Sequence, residues 1–229
     1  MKLAVSQSNY VPWKGYFDLI SKADIFLIYD EVQYTKNDWR NRNLIKTRKG
    51  TEWLTIPVKQ DALDQKIFET KVAFHKWNKK HLGSLQANYA KAESFKEVNN
   101  MVFDWYGIQS DSLTEINTHF LRNICEYLEI RTKIVDSRDL SLVGDRNDRL
   151  LDACSKVGAN TYISGPAAKT YLDVDRFSQQ QINVEWMEYS GYEEYSQLYS
   201  PFAHGVSILD LIFNKGENAK DYFKGKKTT

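Results

Sequence analysis

The chain has almost no cysteine. Cys125 and Cys154 are its two thiols among 229 residues, and neither sits in a CxxC pair. That excludes a disulfide scaffold and a cysteine-based zinc site, and it makes reduced thiols and a cytoplasmic location the expectation. The four histidines are scattered without a second ligand spacing, so no metal is expected. Long apolar runs are missing too. None approaches the roughly 18 residues of a membrane span. The opening Met1-Lys2-Leu3-Ala4-Val5-Ser6-Gln7 turns polar too early for a secretory leader. Neither membrane insertion nor export is therefore expected. Charge of one sign is also lacking: 31 basic against 30 acidic residues leave +1, which excludes a general nucleic-acid coat but not a local basic patch. GxGxxG, GxxxxGK[ST], HExxH and GxSxG are all absent. A P-loop kinase, a standard zinc protease and an α/β-hydrolase drop out with them, and no cofactor is expected.

What is abundant is aromatic. Fourteen Tyr and 6 Trp lift the aromatic share to 14%, within otherwise ordinary globular usage of 42% hydrophobic and 27% charged residues. Such rings carry a polar handle and suit clefts as well as cores. The length suits one domain spanning 1–229.

The pattern of elements predicts an α/β fold. A first strand at 3–5, a loop at 6–15, a short helix at 16–22 and an apolar β-branched run at 25–29 make a βαβ unit. Residues 31–50 read as a basic loop and 53–58 as a strand stopped by Pro57, with a further extended arm at 66–74. Residues 76–130 form a mostly helical insertion, in which Trp77, His81, Leu85 and Tyr89 share one stripe. Strands near 132–135, 161–165 and 184–187 alternate with a helix at 147–157 closed by Gly158, and 207–213 is a terminal helix. The Lys-rich tail after Gly216 is expected to fray. The whole is an open, mostly parallel, Rossmann-like sheet. Its ligand site belongs at the strands' carboxyl ends, where segments 6–16, 30–42, 136–139, 164–171 and 188–210 meet.

Three segments there carry candidate chemistry. The loop from Gln7 through Asn9, Tyr10, Trp13, Lys14 and Tyr16 is dense in hydrogen-bonding groups at a helix start. The basic stretch holds Asp30, Gln33, Trp39, Asn41, Arg42 and Lys46, and a guanidinium between two asparagines can fork onto phosphate. Ser164-Gly165, with Lys169 beyond, leaves a strand end where glycine admits a ligand to the backbone. His81 is a candidate general base, set against a plain structural role on its aromatic stripe. Cys154 reads as a core thiol.

Together these residues resemble the WbqC-like protein family. The likeness is carried by Gln7, Tyr10, Pro12, Trp13, Gly15, Tyr16, Phe17, Asp30, Val32, Gln33, Tyr34, Trp39, Asn41, Arg42 and Asn43. It continues through residues 77–81, 162–165, 171–173 and 207–216 and covers nearly the whole chain. At 202–206 the chain departs from the family pattern, so no role is carried to His204. The resemblance implies a place in bacterial surface-polysaccharide (O-antigen) gene clusters. It also implies transfer of a glycyl or other acyl group to the amino group of a nucleotide-linked sugar.

On that reading His81 or Asp30 accepts the amine's proton, and a backbone N–H of the first loop or the Gln33 or Asn41 amide steadies the oxyanion. Arg42 and Lys46 hold the diphosphate, and Trp13, Tyr16 or Trp39 stack on base or sugar. With no ATP motif, the acyl group would arrive already activated, on an aminoacyl carrier protein or an aminoacyl-tRNA. A fainter likeness to nucleotidylyltransferases, whose two motif histidines are replaced here by Trp13 and Tyr16, keeps an ATP-using ligase as an alternative. A non-catalytic nucleotide-sugar binding protein is another. The surplus of Trp and Tyr also leaves a homo-oligomer open.

Overall fold

Alternation along short strands sets the layers. In the computed structural model, which describes residues 1–225, β1 (Lys2–Ser6) turns Leu3 and Val5 to one side and Ala4 to the other. After α1 (Lys14–Lys22), β2 (Ile25–Ile28) does the same, with Ile25 and Leu27 opposing Phe26 and Ile28. A hairpin of β3 (Arg42–Thr47) and β4 (Gly50–Thr55) and a small pair of β5 (Val58–Lys59) and β6 (Lys71–Val72) follow. Then come α2 (Trp77–Tyr89), α3 (Phe95–Trp105) and α4 (Leu113–Tyr127). The chain returns to the main sheet through β7 (Lys133–Asp136), α5 (Arg146–Val157), β8 (Thr161–Ser164), α6 (Val174–Gln179) and β9 (Asn183–Trp186), and α7 (Ile208–Lys215) packs last.

The main sheet has five parallel strands in the order β7-β2-β1-β8-β9. Counted along the sheet-forming strands alone, that is 3-2-1-4-5, a Rossmann-like order with helices on both faces. Leu150, Leu151, Cys154 and Phe177 of α5 and α6 cover one face. The larger cluster of α1, α2, α3, α4 and α7 covers the other. Gly158 closes α5 at φ 69, the left-handed cap that the sequence predicts. Both thiols are buried and free, and burial pushes each pKa up to about 12, which leaves them inert. No helix among the described residues is long and apolar enough to cross a membrane.

Two expectations fail. The stretch 42–47 is not loop but one strand of the β3–β4 hairpin, because Asn43, Ile45 and Thr47 are buried at every second position and residues 42–47 pair in register with 50–55. The tail does not fray at Gly216. Residues Gly216–Tyr222 wind as a 3-10 turn that buries Ala219, and Tyr222 and Phe223 pack on the core. Residues 226–229 lie outside the described part.

Leu27, fully buried at the centre of the sheet, makes a direct test of this layering. Leu27→Ala is expected to cost about 2–5 kcal/mol of unfolding free energy, read as a lower urea midpoint at unchanged slope.

Candidate functional site

The strand order reverses between β1 and β8, and their carboxyl ends diverge there. A cleft of about 790 Å³ opens at this point. Ser6 and Gln7 leave β1 into it, and Ser164 and Gly165 leave β8 into it. Trp13 and Tyr16 come from the start of α1, Tyr29 and Gln33 from beyond β2, Tyr171 from the turn after β8, and Tyr189 from beyond β9. The indole of Trp13 lies over Gly15, where a Cβ would meet its ring at 2.3 Å; this is why glycine follows two residues after the tryptophan. Its far edge meets Tyr189, with ring centroids 5.3 Å apart.

The charge in the cleft comes from the first turns of α5. Asp145 caps that helix by accepting from the Asp148 N–H at 2.9 Å, and Asp148 pairs with Arg176. Both carboxylates are thus committed, while Arg146 and Arg149 have no ion-pair partner among the described residues. Arg149 is steered by Tyr29 Oη and the Gly144 carbonyl, each at 3.3 Å. The Arg146 guanidinium lies 4.5 Å from the centre of the Tyr171 ring. Two guanidiniums outside any close ion pair, with Glu31 the carboxylate that acts on Arg149 from farther off, stand beside flat aromatic faces and form an anion site of the kind that takes phosphate.

The loop that carries Gln7 is held from beneath. Asp30 is 1% exposed, and its oxygens accept from the Ser8 N–H (2.7 Å), Ser8 Oγ (2.7 Å) and Thr114 Oγ1 (2.6 Å). Burial raises its pKa, opposed by the Ser8 and Thr114 hydrogen bonds. Farther along the loop, Val11 is forced to φ 36, an unfavourable conformation for a β-branched residue. Asn43 Nδ2 and Ser207 Oγ both donate to its carbonyl, at 3.1 and 2.7 Å, and hold it there.

The WbqC-like protein family matches residues 7–222. This chain belongs to the WbqC-like family. An uncharacterized protein of Mycobacterium tuberculosis (Rv1507c) is 44% identical over 225 residues, covering 97% of each chain. No solved structure matches.

The opening motif of this WbqC-like chain divides between cleft and scaffold. Gln7, Trp13, Tyr16, Gln33, Ser164 and Gly165 do converge on the cleft. Lys169 sits on the same turn after β8, but its amine lies over Trp186, 5.4 Å from the ring centre, outside the lining. Asn9 is taken by the Arg40 guanidinium. Tyr10 is wholly buried. Lys14 is buried too, donating to the Glu193 carbonyl at 2.9 Å between Tyr192, Tyr195 and Phe202; desolvation lowers its pKa to about 8. Asn41 spends both ends of its amide, accepting from Tyr34 Oη at 3.0 Å and donating to the Ile56 carbonyl at 2.8 Å. Lys46 is buried against the Pro201 carbonyl, so it holds no diphosphate. Arg42 and Trp39 stand on the outer side of the hairpin region, away from the lining. Asp30, sealed by its three donors, is no proton acceptor for a bound amine.

His81 needs the sharpest correction. It is 2% exposed, and its Nε2 lies 3.1 Å from the Thr55 carbonyl, which can only accept. Nε2 therefore carries the proton, and Nδ1 accepts from Tyr10 Oη at 2.8 Å; Tyr106 Oη in turn donates to Tyr10 at 2.8 Å. The lone pair a general base needs is already spent. Trp13, Arg42 and His81 do not meet. Sequence reasoning missed Arg146 and Arg149, which lie in a charged helix start with no motif to mark them.

The His81 ring has a pH signature. Burial lowers its pKa to about 4, against about 6.5 in the unfolded chain. The unfolded state takes up the proton first on acidification. The stability is whole above about pH 6.5 and is lost as pH falls toward 4. Between pH 7 and pH 4.5 the wild type is expected to lose about 2 kcal/mol more than His81→Gln, which has no titrating ring. Urea titrations of both proteins across that range measure the difference.

Proposed function

We propose that this chain binds a nucleotide-linked amino sugar in the β1–β8 cleft and transfers an activated acyl or aminoacyl group, such as glycyl, to the sugar's nitrogen. The observation that carries the reading is the pair of unpaired guanidiniums at the point where the strand order reverses. Arg146 and Arg149 take the diphosphate, Tyr171 and Trp13 offer flat faces to base and sugar, and the Gln7 amide and Ser164 hydroxyl orient the ring. In the transfer, the neutral amine attacks the ester or thioester carbonyl carbon. The carbon–nitrogen bond forms, the bond to the carrier's oxygen or sulfur breaks, and the amine's proton leaves with the carrier. Burial pushes the Tyr189 phenol up to about 12, so it stays a neutral donor at pH 7 and suits a developing oxyanion. Surface-polysaccharide assembly is the setting that family membership suggests.

A second reading has its own support. Among the described residues no Cys, His or Lys lines the cleft, which favours a nucleotide-sugar binding protein without chemistry. Calorimetry with a uridine-diphosphate-linked amino sugar, followed by incubation with carrier-bound glycine, separates the two. Binding is expected, weakened about 10- to 100-fold in Arg149→Ala and in Arg146→Ala, and the sugar gains the mass of one glycyl unit. Binding without mass gain across several amino sugars and donors supports the second reading. Absence of binding rejects both.

A further inference from the structure

We infer that the outer surface formed by Trp39, Arg42 and Trp53 is a stacking platform for single-stranded nucleic acid. Trp39 and Trp53 are 42% and 44% exposed, although burying an indole is strongly favourable. Their ring centroids lie 5.3 Å apart at 46°. The Arg42 guanidinium sits 4.0 Å from the centre of the Trp53 ring and is steadied by Asn37, whose Oδ1 accepts from Nη1 at 3.2 Å. Arg42 Nε is buried with no hydrogen-bond partner. A planar cation held against one of two exposed indoles offers successive flat faces, the arrangement on which bases stack without regard to sequence.

Charge on the same loop and hairpin, with Arg48 and Lys49 at the turn that joins β3 to β4, selects the partner. Lys36, Arg48 and Lys49 are exposed on the same loop and hairpin, and none has an ion-pair partner among the described residues. Asp38 is committed to Arg40 (3.6 Å) and to the Trp39 N–H (2.7 Å), Glu31 accepts from Ser137 Oγ (2.7 Å), and Glu52 is exposed on β4. A neutral glycan would use the indoles but gain nothing from three ammonium or guanidinium groups, whereas a phosphodiester chain uses both.

The platform adjoins the cleft. The Trp39 carbonyl accepts the Tyr10 N–H at 3.0 Å, and Tyr10 is three residues beyond Gln7, a reach of at most about 11 Å. The backbone that carries Trp39 is thus tied to the loop that leads Gln7 into the cleft, although the indole itself stands outside the lining. Under the transfer reading this is the side from which an acyl ester on an RNA end would arrive. The binding itself does not depend on that reading.

The test uses the full chain and a fluorescein-labelled, unstructured oligoadenylate of about eight nucleotides, as RNA and as DNA, followed by anisotropy. Saturable binding is expected at about 50 mM salt, weakening about 20-fold by about 200 mM if three phosphates are contacted. Trp39→Ala and Trp53→Ala should each weaken it about 5- to 150-fold. Trp53→Phe should keep most of the affinity, and Arg42→Lys should lose several-fold although the charge remains. The same variants should keep the wild-type urea midpoint, which shows that the fold is intact whatever the cleft binds. Failure of the wild type to bind either oligonucleotide would overturn the inference. So would binding indifferent to both alanine variants, a preference for a neutral oligosaccharide, or a dimer that Trp53→Ala dissolves.

Discussion

The carboxylate of Asp30 sits where three stretches of chain must meet if the cleft is to exist. Ser6 and Ile28 are paired in parallel register, so Ser8 and Asp30, each two residues beyond its strand, arrive side by side. Asp30 then takes both donors of Ser8, and Thr114 of α4 closes the remaining side. A buried charge without partners would be costly, and three short hydrogen bonds make this position of the β1 loop the one in which the charge is satisfied. Asn117 extends the tie by donating to Ser8 Oγ at 3.0 Å and to the Arg40 carbonyl at 2.8 Å. Gln7, immediately before this knot, is thereby presented to the cleft on a rigid support.

The tyrosines do two jobs that composition alone does not separate. Tyr10 and Tyr106 are struts, relaying hydrogen bonds through the core to His81 and the hairpin. Tyr89 and Tyr195 are struts of a second network centred on buried Asp210, donating to it at 2.9 and 2.7 Å. Gln197 joins them and clasps the backbone of Ala203 from both sides, which fixes the irregular segment before α7. Tyr29, Tyr171 and Tyr189 instead turn their rings to the cleft. The polar handle serves the interior in the first two sets and the ligand space in the third.

What could be read from the sequence follows from range of interaction. The strands, helices and parallel character rest on local periodicity and short crossovers, and the helical insertion, α5 and the capped turn at Gly158 fall where the pattern puts them. The cleft's position follows from the reversal of strand order, so Gln7, Trp13, Tyr16 and Ser164 could be placed in it. Arg42 and Lys46 were misplaced because residues 42–47 form a strand whose packing sets Arg42 on Trp53 and buries Lys46 against Pro201, and His81 because its aromatic stripe turns into the core. Arg146 and Arg149 were invisible for a different reason. Their availability depends on Asp145 and Asp148 being consumed by a helix cap and by Arg176, contacts that no spacing rule weighs.

The central claim is that α5, not the basic hairpin, supplies the anion grip at the mouth of a Rossmann-like crevice. A crystal structure of the chain soaked with a uridine-diphosphate-linked amino sugar tests it most directly. The account predicts diphosphate density between Arg146 and Arg149, with the sugar directed toward Gln7 and Ser164. Diphosphate bound at Arg42 and Lys46, with the crevice empty, would contradict it.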